Sequence, residues 1–256
     1  MNFIRRFSFA LTFLTRIPLP FKTEYNDKLP SASMGLYPLI GIIVGTILLL
    51  FSELTAIFLP DNIRNVLMLI LLVYLTGGLH LDGFIDSVDG LFSCRKKDEI
   101  LEIMHDSLIG AFGAISVILL FLLKLYLFIE LSGDLRKAAL LLMPVFSRWM
   151  IVFAAWNYPL AVSSSIGRGF NYSLSWKQLL EGIIYLFTIV YVVYYLFSFK
   201  IYLSIIIFLV SFIITHLFSK YVIIKIDGLT GDIYGAINEI IEVVVLLTAL
   251  VLKGVI

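Results

Sequence analysis

Seven stretches of this chain are each long and apolar enough to cross a hydrocarbon core, and that recurrence constrains the fold more than any single motif. A core about 30 Å thick needs roughly 17–25 apolar residues in a helix, because only helices and closed barrels satisfy backbone N–H and C=O groups away from water. The stretches fall near residues 35–59, 65–81, 109–131, 138–158, 181–199, 201–219 and 236–252. The chain is 61% hydrophobic and 14% charged, against roughly 25% charged in soluble domains. The expectation is an all-α integral membrane protein with about seven transmembrane helices, read as one polytopic domain over residues 1–256. A net charge of +1, with no zinc spacing, P-loop or dinucleotide fingerprint, argues against a nucleic-acid partner. The single cysteine, Cys94, has no partner for an intramolecular disulfide and lies in a basic stretch, SCRKK.

Residues 1–20 are too interrupted to span. Phe3, Ile4, Phe7, Ala10, Leu11 and Leu14 nevertheless share one helical face, with Arg5, Arg6, Thr12 and Arg16 elsewhere. That pattern predicts an amphipathic helix lying in the membrane interface, against lipid. A signal peptide is the competing reading, but no small-residue cleavage site precedes Pro18 and Pro20.

Orientation follows from Lys and Arg in the short loops. Of the nineteen, Lys124 and Arg148 fall within spans; Arg64, Arg136, Lys137, Lys200 and Lys253 fall on one side and the other twelve on the N-terminal side. The bias predicts a cytoplasmic N-terminus. It also puts three polar segments, 82–106, 159–180 and 226–235, together as cytoplasmic loops.

The first of these segments belongs to GGLHLDGFIDSVDGLFS, residues 77–93, with Asp82, Asp86 and Asp89 at i, i+4 and i+7. On a helix these share a face. Carboxylates roughly 6 Å apart repel by about 3 kcal/mol per adjacent pair at an effective dielectric of 20, so a cation is expected among them. All-oxygen donors suit Mg²⁺ or Mn²⁺, which commonly bridges protein carboxylates to a substrate phosphate. Gly77, Gly78, Gly83 and Gly90 would let a pyrophosphate approach the backbone. The bland alternative is a solvated acidic turn, which does not need helical register. His80 reads as a satisfied interfacial histidine.

A second patch, EIMHDSLIGAFG at 102–113, offers Asp106 as a metal ligand or base, or equally as a helix N-cap together with Ser107. A third, DGLTGDIYGAINEI at 227–240, sets Thr230 and Asp232 in a glycine-rich turn before a helix, where free N–H groups can meet an anion. Asn238, Glu239 and Glu242 follow inside a span, where carboxylates are costly and usually line a site. Arg148, at the centre of another span, needs an acidic partner such as Glu53 or Glu239, or an anionic ligand. Ser175 followed by Gln178 reads as a capping box.

FLTRIPLP (13–20), YPLIGIIVG (37–45), GGLHLDGFIDSVDGL (77–91), MHDSLIGAFG (104–113), GLTGDIYGA (228–236) and NEIIE (238–242) resemble, in that order, segments of the cobalamin-5′-phosphate synthase family, also called adenosylcobinamide-GDP ribazoletransferase. The resemblance covers almost the whole chain. It implies a Mg²⁺-dependent integral membrane enzyme that joins adenosylcobinamide-GDP to α-ribazole or its 5′-phosphate, releasing GMP. Asp82, Asp86 and Asp89 match the family's acidic motif, Asp106 its M-x-D-S segment, and Thr230, Asp232, Asn238 and Glu239 its late motif. The chain departs from the pattern at Leu108, where D-S-R-I-G is usual, and at Asp227, where G-G-[VL]-T-G-D is usual.

On that resemblance, and on the order of the aspartates along the helix, Asp82, Asp86 and Asp106 would hold Mg²⁺ and Asp89 would accept the proton of an attacking ribazole 5′-hydroxyl, with swapped roles among them as the alternative. Gly83, Arg148, Thr230, Asp232, Asn238 and Glu239 would contact substrate. The site would face the cytoplasm of a cell (inner) membrane, with other corrinoid enzymes or a second copy as neighbours. Two other classes use similar residues. A CDP-alcohol phosphotransferase carries a D-G-x-x-A-R pattern absent here; a prenyltransferase also uses metal–pyrophosphate chemistry. A cation-coupled transporter would set its acids near the midplane between broken helices.

Overall fold

The computed structural model describes residues 2–20, 25–161 and 174–255. Among these, every regular element is helical. The helices are α1 (Phe3–Leu14), α2 (Leu29–Ser33), which runs through a 3-10 turn into α3 (Tyr37–Thr55), α4 (Asp61–Thr76), α5 (Leu79–Phe92), α6 (Lys97–His105), α7 (Ala111–Glu130), α8 (Gly133–Asn157), α9 (Trp176–Phe197), α10 (Ile201–Ile226) and α11 (Gly231–Val251). Six are long and apolar enough to cross a membrane, or seven if α4 and α5, bent by 91°, count as one broken span. The chain is a multi-pass, all-α membrane protein.

Helix α8 is buried along its length and forms the axis of the bundle. Its closest neighbour is α3, where a Cβ built on Gly41 would stand 2.3 Å from the Pro144 carbonyl oxygen. Small residues of this kind let two membrane helices pack backbone to backbone, where dispersion contacts replace the missing hydrophobic drive. Helix α1 forms as predicted and packs through Ala10, Leu11 and Leu14. Arg6 ties it to the rest by an ion pair to Glu181 on α9 and by donating to the Ala32 carbonyl. The capping box at Ser175 is present, with the Ser175 N–H donating to Gln178 Oε1 at 3.0 Å.

Two expectations need correction. The apolar run 65–81 is not one helix: α4 ends at Thr76, and Gly77 and Gly78 take φ of +66° and +75°, a left-handed turn only glycine enters without cost. Segment 82–106 is not a loop either. It is helix α5, which turns away from the axis of α4, followed by α6. Segment 226–235 contains only a short turn, since α11 begins at Gly231. Of segment 159–180, residues 162–173, with Arg168, lie outside the described residues, as does Lys22.

Candidate active site

Three chain regions meet where α5 crosses the start of α11. Gly83 is the crossing point: a Cβ there would lie 2.8 Å from both Cα and O of Asp232. On the other side of the contact, a Cβ on Gly235 would lie 2.8 Å from the His80 carbonyl oxygen. The turn before α11 is fixed in turn by residues after α8, through Ala161 N–H to Leu229 O and Leu229 N–H to Pro159 O, both 2.9 Å. Thr230 caps α11, its hydroxyl accepting from Ile233 N–H at 3.3 Å and donating to Asp232 Oδ2 at 3.3 Å.

Asp82, Asp86 and Asp232 thereby form one acidic surface, with Asp82 exposed and the other two half-buried. Burial, then the nearby charges of Asp82, Asp232 and Asp89, push the Asp86 carboxyl up to about 7. Asp89 is placed differently. It is buried, and its two oxygens accept the N–H groups of Gly110 and Gly113, each at 2.8 Å, so it caps the start of α7. Both oxygens are thus engaged by the backbone at the start of α7, a geometry that fits a positioning residue better than the proton acceptor expected for it.

Asp106 sits on the exposed turn between α6 and α7, and its Oδ1 accepts from Leu108 N–H at 3.1 Å. It therefore ends α6 rather than capping α7. The two family departures have simple surroundings. Leu108 is exposed, and Asp227 closes α10 at φ +62° while pairing with Lys97 at 2.7 Å. Aspartate is among the few residues that tolerate that left-handed position.

The glycine expectation is corrected at two of its four positions, while Gly78 has open space on its Cβ side. The open side of Gly83 is filled by Asp232 and that of Gly90 by the Met104 side chain, so both serve helix packing rather than a pyrophosphate. Arg148, Asn238 and Glu239, also expected to contact substrate, lie buried inside the bundle, and Arg148 Nε and Nη2 and Asn238 Oδ1 have no hydrogen-bond partner. They join Lys124 and Glu242 in a buried network, with Lys124 Nζ at 2.6 Å from Glu239 and 2.7 Å from Glu242, Arg148 Nη1 at 3.4 Å from Glu242, and Asn238 Nδ2 donating to Glu242 at 3.1 Å. Arg148 is fully buried, its charge met by Glu242. Glu53, the other expected partner, pairs with Lys137 instead.

Beside the acidic surface lies a cavity of about 220 Å³, lined by Asp82, Asp232, Phe13, Met34 and Ile151 together with Tyr37, His80 and Tyr234. The Tyr37 and Tyr234 hydroxyls and His80 Nε2 are buried without a hydrogen-bond partner. Unpaired buried polar atoms are expensive, and these three belong to residues that line one cavity. Sequence reasoning passed over both tyrosines, although each stands inside a quoted motif, and took His80 as satisfied.

Among the described residues no three His, Cys, Asp or Glu side chains form a ready-made metal cage. Mg²⁺ does not require one, since it usually takes one or two carboxylates, waters and substrate phosphates. The all-oxygen donors and the mutual repulsion around Asp86 fit such an ion.

A profile of the cobalamin-5-phosphate synthase family matches residues 6–250. The chain belongs to that family. Its similarity extends to full-length relatives named adenosylcobinamide-GDP ribazoletransferase. The one from Desulfitobacterium hafniense is 38% identical over 97% of this chain and 98% of its own. Those from Fusobacterium nucleatum and Clostridium botulinum are each 35% identical, covering 97% and 98% of this chain and 98% and 99% of their own. No solved structure matches. In this member of the cobalamin-5-phosphate synthase family, the acidic motif and the late T-G-D motif, about 150 residues apart in sequence, meet at the α5–α11 crossing.

Proposed function

We propose that the protein is an adenosylcobinamide-GDP ribazoletransferase, joining adenosylcobinamide-GDP to α-ribazole or its 5′-phosphate with release of GMP. The observation that carries this reading is the meeting of Asp82 and Asp86 with Asp232 beside a cavity whose lining residues include three with unpaired polar atoms. Such a surface repels a bare pyrophosphate, and a divalent cation reverses the sign. Asp82 and Asp232 would hold Mg²⁺, which when bound neutralises phosphate charge and polarises the bond to the leaving group.

The chain's own residues then have separate tasks. An acceptor already phosphorylated at the 5′ position has no free 5′-hydroxyl, so the nucleophile common to both acceptors is another ribose hydroxyl, which corrects the 5′-hydroxyl expected from the resemblance. Its oxygen forms a bond to the cobinamide-bearing phosphorus as the bond to the GMP oxygen breaks. Asp86, with a carboxyl near neutrality, accepts the hydroxyl proton. Tyr37, Tyr234 and His80 orient the acceptor through their unpaired atoms, and Asp89 holds the start of α7 against α5. The Lys and Arg bias supports a cytoplasmic orientation for this face, in the cell membrane.

The deciding assay gives purified protein in lipid adenosylcobinamide-GDP, α-ribazole 5′-phosphate and Mg²⁺, and measures GMP and corrinoid product. Stoichiometric GMP and joined corrinoid, lost in D82N and without Mg²⁺, is the expected result. Folded wild-type protein that releases no GMP would overturn the reading.

A further inference from the structure

A second cluster of charges lies at the membrane face opposite the acidic surface, where α3 and α7 end and α4 and α8 begin. These four ends enclose a cleft of about 410 Å³ whose lining includes Arg64, Arg136 and Lys137 with Glu53 and Asp61. Three of the five Lys and Arg residues assigned to this face thus gather at one point.

The charges do not balance. Arg64 pairs with Asp61, and Lys137 with Glu53 at 2.9 Å. Arg136 is 8% exposed and, among the described residues, has no carboxylate within ion-pair distance. Its Nη2 donates to Asn65 Oδ1 at 2.6 Å and to Met68 Sδ at 3.2 Å, and its Nε is buried without a partner. Arg64 Nε is also buried and unpartnered. Asp61 and Glu53 line the same cleft, but a buried guanidinium with no carboxylate in contact is unfavourable. Helices α4 and α8 also start here, with no side-chain hydrogen bond at the cap position and with Asp61 and Asp134 in their first turns. Their first-turn N–H groups and dipoles favour an anion.

We propose that this cleft binds a phosphate-bearing anion. Guanidinium groups suit phosphate oxygens geometrically, offering several donors to several acceptors at once. The phosphate can come from a phospholipid headgroup or from a free phosphate. The exposed Ile57 and Phe58, on the α3–α4 connection beside the cleft, provide an apolar rest for an acyl chain.

The test uses the full-length protein in detergent, with two probes: soluble dihexanoyl phosphatidylglycerol and inorganic phosphate. Binding is followed by native mass spectrometry and by the thermal shift each probe produces. Wild-type protein is expected to bind phosphatidylglycerol at least tenfold more tightly than R136Q. E53Q, which removes a competing carboxylate, should bind more tightly than wild type, a gain that simple structural damage would not give. GMP release, read at the opposite face, should stay within twofold in both variants. If R136Q does not fold, K137Q replaces it, with at least threefold weaker binding expected. Arg136-dependent binding of inorganic phosphate without lipid binding would support the site and assign it a soluble anion. Affinities within twofold across wild type and variants, for both probes, would overturn the proposal.

Discussion

Gly83 touches the backbone of Asp232 so closely that even a methyl group placed there would lie 2.8 Å from two of its main-chain atoms. Neither partner can yield by turning a side chain. A Gly83→Ala change must push α5 off α11 and separate Asp82 and Asp86 from Asp232. Overpacking of this kind costs about 1–3 kcal/mol. The expected result is at least a tenfold loss of GMP release with near-normal helical circular dichroism. Unchanged activity would mean that the crossing does not assemble the site.

Asp86 gives a pH signature. Its carboxyl is raised to about 7 by burial and neighbouring acids, so folding becomes less favourable as pH rises from the ordinary carboxylate range near 4 through 7. Activity that depends on its ionised form should rise over the same interval. Mg²⁺ relieves the repulsion only where the carboxyl is charged, so it should raise Tm more at pH 8 than at pH 5. In D86N that difference should shrink, and GMP release should fall at least 100-fold. Equal Mg²⁺ stabilisation at both pH values in the wild type would argue against an ion at this surface.

Asp89 should behave as a structural anchor. The Asp89→Asn variant keeps one acceptor for the two N–H groups of Gly110 and Gly113, whereas Asp89→Ala keeps none. By analogy with helix caps, the alanine change should cost about 1–2 kcal/mol, and the asparagine change less. Both remove the last and smallest of the charges that raise the Asp86 carboxyl, so the rising limb of turnover should keep its shape and move slightly toward lower pH. Loss of that rising limb altogether in Asp89→Asn would return the residue to proton transfer.

Much of this organisation was legible in sequence because membrane burial leaves a blunt signal. The long apolar runs marked the spans, and the i, i+4, i+7 aspartates marked a helical acidic surface. What escaped depended on contacts between distant residues. Periodicity cannot distinguish Asp89 from Asp82, since their difference lies in which one meets the N–H groups of Gly110 and Gly113. Likewise Gly83 and Gly90 look like room for a ligand until Asp232 and Met104 are found to fill that room. Apolar composition also ran through the Gly77–Gly78 break, where only the paired glycines signalled a turn.

The two unpaired tyrosines separate binding from folding. Removing a buried hydroxyl that has no partner should cost no stability, and can add some. If Tyr37 and Tyr234 hold the acceptor, Tyr37→Phe and Tyr234→Phe should each raise one substrate's KM about 3–10-fold, the size of one neutral hydrogen bond, with Tm unchanged or higher. Lower Tm with unaltered KM would assign both hydroxyls to folding instead.

Lys124 carries the sharpest stability test. Together with Arg148 it balances Glu239 and Glu242, joining α7, α8 and α11 inside the bundle. Lys124→Met leaves two buried carboxylates facing a single guanidinium, and breaking a buried ion pair from one side costs about 3–5 kcal/mol. The variant should show a markedly lower temperature of irreversible loss of monodisperse protein. Adding Glu239→Gln removes the uncompensated charge and should recover part of the loss. That recovery is the decisive outcome, because a Lys124 acting only through its aliphatic stem would give a double variant no better than the single one.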